Sequence, residues 1–166
     1  APYYSELAEK LIGEIKDVFN AMSAAETVAP SVENISERLV MVDNIERLGI
    51  DRHFQQEITQ SLDYVYRYWK ELHRDLNMTA LGLRILRLHR YDVSSDVLEQ
   101  LKLKNREFLR STTQAEEKIK SILNLFRASL IVFRNENVME EAKSFATAYL
   151  NQALQKTEIS SSLSQE

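Results

Sequence analysis

Three glycines and two prolines are the only strong chain-breakers in 166 positions. A β protein of this length needs many tight turns, and such turns draw on Gly and Pro for backbone angles that other residues resist. So sparse a supply leaves room for a few long elements. Between the breaks apolar residues recur every three or four positions, the period of an amphipathic helix. The expected fold class is all-α. Hydrophobic residues make up 44% of the chain, and a single domain of this size buries roughly 70% of its unfolded surface, enough for a core without disulfide or metal staples.

Charge and composition narrow the partners. Lys and Arg number 21 against 25 Asp and Glu, a formal net charge of −4, and the two signs are interleaved. No basic stripe is left from which a nucleic acid would displace counterions, so no nucleic-acid partner is expected. The lack of cysteine excludes disulfides, iron–sulfur clusters and thiolate zinc sites, and it suits a reducing compartment. No apolar run approaches the roughly 20 residues that cross a bilayer, so no membrane span is expected. The opening residues Ala1-Pro2-Tyr3-Tyr4-Ser5-Glu6-Leu7 carry an acid early and lack an apolar h-region. They match neither a signal nor a transit peptide, and any targeting segment is expected to be gone already.

Periodicity predicts seven helices. Leu7, Leu11, Ile15, Val18, Phe19 and Met22 mark an opening helix ending near 22. The small residues of 23–31, with Pro30 near their end, form a connector into a helix over 32–47 that buries Ile35, Leu39, Val42 and Ile45. Gly49 has the place of a left-handed residue closing that helix, and Asp51 the place of the next N-cap. A third helix runs from Phe54, with Ile58, Leu62, Val65 and Trp69 on its core face and Tyr64, Tyr66 and Tyr68 around the rest. Residues 76–89 are apolar on most faces and read as a largely buried helix whose exposed side carries Arg84 and Arg87. Ser94 is placed to cap a short helix ending near 103, with Asp96 in its first turn. Thr113 with Glu116, and Asn137 with Glu140, have capping-box spacing. They open a helix through Ile119, Ile122, Leu123, Phe126 and Leu130 and another through Ala142, Phe145, Ala146, Tyr149, Leu150 and Leu154. The serine-rich residues 157–166 cannot bury enough apolar area to offset their ordering entropy and are expected to fray. The domain reading is one helical unit over 1–156, composed of an opening helix to 22, the connector 23–31 and a main block 32–156, followed by a flexible tail.

Few residues have the spacing that chemistry needs. His53, His73 and His89 are more than a helical turn apart and cannot offer one zinc two imidazoles, so each reads as structural or surface. Ser129 sits mid-helix rather than on a strained elbow, and its hydroxyl is expected to bond back to a carbonyl one turn earlier. Tyr64, Tyr66, Tyr68 and Trp69 could in principle form an aromatic cage for a cation, although packing is the stronger reading.

Three stretches carry a family resemblance. Residues 38–50, reading from Arg38-Leu39-Val40-Met41-Val42-Asp43 to Gly49-Ile50, residues 81–89, Leu81-Gly82-Leu83-Arg84-Ile85-Leu86-Arg87-Leu88-His89, and Asn124-Leu125-Phe126-Arg127-Ala128-Ser129 resemble the β domain of plant diterpene synthases, those of conifer and yew most closely. The resemblance spans about 38–156 and more loosely the opening helix. It implies a single-domain α/α barrel of antiparallel helices, a plastid location in the stroma, and an α and a γ domain as partners. The opening helix here runs through the connector straight into the second helix, where the family inserts its γ domain, and the catalytic α domain is missing. The resemblance is thus to an engineered or minimised β domain, able to self-associate through former interfaces.

What the family does catalytically can be set against this chain. Class II cyclisation uses an Asp-x-Asp-Asp motif whose middle acid protonates an alkene or epoxide. The matching positions read Asp75, Leu76, Asn77 and Met78, and an amide at Asn77 has no proton of useful acidity to give. Asp75 reads instead as a helix N-cap. Class I ionisation uses two acidic motifs that hold magnesium against a diphosphate. Neither is present, and the pairs Glu116-Glu117 and Glu140-Glu141 place neighbours on different helix faces, as first-turn acids do. No catalytic residue, metal site or cofactor is expected in this chain, magnesium being the business of the parent's α domain. The expected role is a non-catalytic scaffold of an enzyme that cyclises geranylgeranyl diphosphate. The alternatives are a helical module binding an apolar ligand or a protein, or residual cyclase activity.

Overall fold

A computed structural model describes residues 2–24, 29–71, 75–105 and 114–165, with side chains at 103–105 left aside. All regular structure among these residues is helical: α1 Pro2–Ala24, α2 Val32–Arg47, a 3₁₀ turn Asp51–His53, α3 Gln55–Arg67, α4 Leu76–Leu88, α5 Asp96–Asn105, α6 Ala115–Ser129 and α7 Asn137–Leu163. The all-α expectation holds, with seven α-helices near their expected bounds. The packing separates into two compact units, Ala1–His73 and Arg74–Glu166.

In the first unit α2 packs against α3, and α1 touches α3. Ile35, Leu39, Val42 and Ile45 form one stripe on α2 and are at most 2% exposed, since their spacing of three and four keeps them on one face. Ile58, Leu62 and Val65 do the same on α3. Ser31 caps α2 by accepting a hydrogen bond from the Asn34 N–H at 3.1 Å. Gly49 ends it with φ 70°, the Ile50 N–H returning to the Ile45 carbonyl at 3.3 Å, a Schellman closure that a Cβ would strain. Asp51 does not cap α3 as expected. It opens the intervening 3₁₀ turn, and the N-cap position of α3 falls to Phe54, which has no side-chain cap. Tyr64 departs from expectation too: it is buried rather than on the outer circumference, while Tyr66 is exposed.

In the second unit α6 contacts both α4 and α7, and α5 contacts α4 and α7. Leu76, Ala80, Leu83, Ile85 and Leu86 of α4 meet a core that includes Ile122, Leu125 and Ala128 of α6 and Met139, Ala142 and Ala146 of α7. The expectation that Arg84 and Arg87 mark the exposed side of α4 is overturned. Arg87 is buried and Leu88 is exposed, because the loops after α4 and α6 supply Arg87 with a full set of acceptors. α4 ends on a left-handed residue, Arg90, with φ 66°, the Tyr91 N–H closing onto the Leu86 carbonyl at 2.9 Å. Ser94 lies one residue before the N-cap position of α5, which is Ser95, and its hydroxyl accepts from the Asp96 N–H at 3.1 Å, turning the chain into the helix rather than capping it as expected.

Three further expectations, two caps and the tail, remain to be set against the structure. Thr113 lies outside the described residues, and the N-cap position of α6 is Gln114 without a side-chain bond. Asn137 is the first residue of α7 rather than its cap, that position belonging to Glu136, whose carboxylate is engaged elsewhere. The chain beyond Lys156 continues as helix to Leu163. Hydroxyls of Ser161, Ser162 and Ser164 donate to carbonyls three residues back at 2.8–2.9 Å, which supports the last turns locally although their side chains are exposed.

Candidate functional site

The four positions Asp75 to Met78 form the first turn of α4. The Asp75 carboxylate accepts from the Met78 N–H at 2.9 Å, the N-cap role expected of it, with ψ 175° placing it outside the helix. Leu76 is fully buried. Asn77, half-buried, accepts a hydrogen bond at 2.5 Å from the side-chain amide of Asn124 on α6. Asn124 was not singled out in the sequence because nothing local marks it: it lies 47 residues away on the buried face of an ordinary amphipathic helix. Two amides can orient each other across α4 and α6, but neither carries a proton that could be given to an alkene.

The other candidates are not brought together. His53 is exposed, its Nε2 accepting from Arg52 Nε at 3.3 Å; His89 is exposed at the end of α4; His73 lies outside the described residues. Glu116 and Glu117 are exposed in the first turn of α6. Glu140 is exposed in the first turn of α7, and its neighbour Glu141 pairs with Lys102. Among the described residues no group of three or more His, Asp or Glu could hold a metal ion. The Ser129 hydroxyl donates to the Phe126 carbonyl at 2.6 Å, so it bonds back along its helix as expected.

The aromatic cluster does meet a cation, but an internal one. The Arg38 guanidinium lies 3.8 Å from the centre of the Tyr64 ring, and Tyr68 meets Tyr64 edge-on at 5.0 Å. Arg38 is 2% exposed and donates to the Met22 carbonyl at 2.7 Å and the Asn34 carbonyl at 3.0 Å. It therefore ties the end of α1 to α2 and occupies the ring face that a ligand cation would need. Tyr66 points away to solvent, so the four aromatics do not form a cage.

The strongest electrostatic feature is Arg87. Its side chain is 0% exposed, and it donates to the Val93 carbonyl at 2.8 and 3.0 Å, to the Ile131 carbonyl at 2.9 Å, and to both oxygens of Glu136 at 2.5 and 2.8 Å. Phe133 lies against the guanidinium at 4.1 Å. One side chain thus satisfies carbonyls from both loops at this end of the unit, with a bidentate carboxylate as counter-charge. The Arg87 hydrogen bonds, helped by the Phe133 N–H, hold Glu136 at about 2 against 4.5, although burial opposes this. The folded-state value is depressed, so the stability it contributes is present above the ordinary carboxylate range and lost as pH falls from 4.5 toward 2. Acid titration of the wild type, followed by helical circular dichroism, is expected to show a destabilisation in that window that is much reduced in Glu136→Gln.

Known proteins give this geometry a setting. The family described as "Terpene synthase, N-terminal domain" matches residues 2–166. The chain is 54% identical over 166 residues to alpha pinene synthase of Chamaecyparis formosensis, covering 94% of this chain and 26% of that protein. It is 52% identical over 171 residues to (-)-alpha-pinene synthase of Pinus taeda, covering 96% and 27%. Among solved structures, abietadiene synthase from Abies grandis superposes with a TM-score of 0.63 at 46% identity, over 73% of this chain and 17% of that one. Isoprene synthase from grey poplar superposes with a TM-score of 0.69 at 29% identity, over 91% and 27%. The chain spans about a quarter of the length of the pinene synthases it matches. An alignment of 166 residues that takes in 94% of this chain leaves no space in that relative for a domain inserted between the counterparts of α1 and α2, so the direct connection needs no excision to explain it. The family that the motifs of residues 38–50, 81–89 and 124–129 resembled is the family found, and this chain belongs to the terpene synthases, as their N-terminal domain.

Proposed function

We propose that this chain is a structural, non-catalytic domain that supports the catalytic part of a plastid terpene synthase. The observation that carries this reading is Asn77. At the position where the family's class II acid would stand, the chain has an amide already held by a second amide, Asn124, at 2.5 Å, and the one carboxyl group in that turn, Asp75, is taken up in capping α4. The relatives are described as chloroplastic, which supports the plastid location. For the whole protein we propose cyclisation of a prenyl diphosphate with magnesium held outside this chain. The diterpene resemblance pointed to geranylgeranyl diphosphate. The relatives named for pinene, terpinolene and carene favour the ten-carbon substrate of a monoterpene.

A transplant tests the division of labour. Replacing the matching quarter of the Pinus taeda (-)-alpha-pinene synthase by this chain is expected to leave an active enzyme whose product is still pinene, because the reacting carbocation is shaped elsewhere. A change of product skeleton that follows the transplanted quarter would contradict the scaffold role.

A further inference from the structure

Four consecutive apolar residues, Leu130-Ile131-Val132-Phe133, lead out of α6, and folding does not put them away. Leu130 is 55%, Val132 47% and Phe133 49% exposed, and Ile131 is half-buried. A run of that kind on a surface is a liability unless something covers it. The neighbouring loop adds to it. At the end of α4 the usual order is inverted, with Arg87 buried and Leu88 55% exposed. Arg87 ties the two loops together through the Val93 and Ile131 carbonyls and Glu136, and Phe133 packs on its guanidinium. Leu88 and the run 130–133 therefore share one end of the Arg74–Glu166 unit.

That end is also basic. Residues 87–92 and 127–136 contain four arginines against Asp92 and Glu136, a surplus of two positive charges in a chain whose total is −4. Glu136 is taken up by Arg87. Arg90 and Arg134 are exposed, and among the described residues no carboxylate pairs with either. Arg90 moreover holds φ 66°, a backbone that glycine would adopt without strain. The turn itself thus has no need of an arginine there.

We propose that this end of the domain docks on the surface of an anionic lipid bilayer, the apolar run and Leu88 entering the headgroup boundary while Arg90 and Arg134 meet lipid phosphates. Exposed aliphatic and aromatic side chains beside unpaired arginines are the composition that seats at such a boundary. Charge decides against the other occupants. Two copies of this face would set arginine against arginine, and a nucleic acid would need a basic stripe without an apolar centre. Among the described residues no helix is long and apolar enough to cross a membrane, so the contact is with one leaflet. A few side chains at that depth give reversible binding rather than a permanent anchor. The inference does not depend on where the chemistry of the enzyme resides, so turnover assays bear on the scaffold reading alone.

The test is co-sedimentation with vesicles of phosphatidylcholine and phosphatidylglycerol at a ratio of about two to one, and with vesicles of phosphatidylcholine alone. Both this chain and the pinene synthase carrying it as a transplant are measured. Each is expected to bind the mixed vesicles, to bind pure phosphatidylcholine weakly, and to be released as salt rises from about 0.05 to 0.5 M. Leu130→Ser/Val132→Ser is expected to lower affinity for the mixed vesicles roughly tenfold. Arg90→Gly/Arg134→Gln is expected to lower it roughly twentyfold, at about fivefold per arginine. Because glycine suits φ 66°, Arg90→Gly should not lower Tm, so its loss of binding cannot be put down to loss of fold. Wild-type chain that ignores the mixed vesicles, or variants that bind as well as wild type, would overturn the inference. So would binding by the isolated chain but not by the transplant, since the rest of the enzyme would then cover this face. A chain that elutes as a dimer, converted to monomer by Leu130→Ser/Val132→Ser, would overturn it in favour of a second copy.

Discussion

Glu136→Ala is expected to cost about 3–5 kcal/mol, because it leaves a buried guanidinium without its counter-charge. The Arg87 side chain is 0% exposed, so no water replaces the two oxygens that it loses. Its remaining acceptors are the carbonyls of Val93 and Ile131, which satisfy its hydrogen bonds but not its charge. Urea unfolding followed by helical circular dichroism measures the cost. Arg87→Met is the informative companion. It removes the fully buried charge and leaves Glu136, whose side chain is 12% exposed and keeps the Phe133 N–H, where water can reach it, at the cost of the orphaned carbonyls of Val93 and Ile131. The prediction is therefore that Glu136→Ala is the more damaging of the two. The reverse order would mean that Arg87 acts mainly by satisfying the loops rather than as half of an ion pair.

Phe54→Ala is expected to cost about 3–5 kcal/mol in the Ala1–His73 unit, the usual range for emptying a well-packed aromatic site. Phe54 is fully buried at the junction of the 3₁₀ turn and α3, where its ring meets Phe19 of α1 at 6.0 Å and His53 edge-on at 6.3 Å. Its loss removes the main apolar fastening of α1. Trp69 is the only tryptophan and is buried in the same unit, so its fluorescence follows this unit directly. Phe54→Leu, which keeps much of the volume, is expected to shift the midpoint by well under half as much. Equal effects of Leu and Ala would show that the site is not packed around the ring.

Much of this molecule was legible in the order of its residues, for a local reason. The stripe Ile35, Leu39, Val42, Ile45 announces both α2 and its buried face, because one helix can place residues at those spacings together and a strand cannot. Gly49 and Asp75 announce ends, because each answers a backbone need within three or four residues of itself. What was misread, at Arg87, or left unread, at Arg38 and Arg90, has the opposite character. Arg87 looks like a surface residue until the acceptors that bury it are found 6, 44 and 49 residues away. Arg38 occupies the core face of α2 because Met22, 16 residues before it, and the Tyr64 ring receive its guanidinium. Arg90 closes α4 in a left-handed conformation usually left to glycine, so no residue type advertised the turn. The candidate site divides in the same way. The cap at Asp75 was readable, whereas the grip of Asn124 on Asn77 depends on how α6 lies against α4.

If this domain is a scaffold, as proposed above, the chemistry of a terpene synthase resides outside it. The most direct measurement is to incubate the purified chain with magnesium and, separately, with geranylgeranyl diphosphate and its ten-carbon homologue, then to dephosphorylate and analyse by gas chromatography with mass detection. Only the acyclic prenyl alcohols are expected, in amounts equal to a protein-free control. A cyclic or rearranged hydrocarbon or alcohol that depends on the protein would contradict the scaffold role, and would place an acid or a metal site among residues assigned here to capping, packing or solvent.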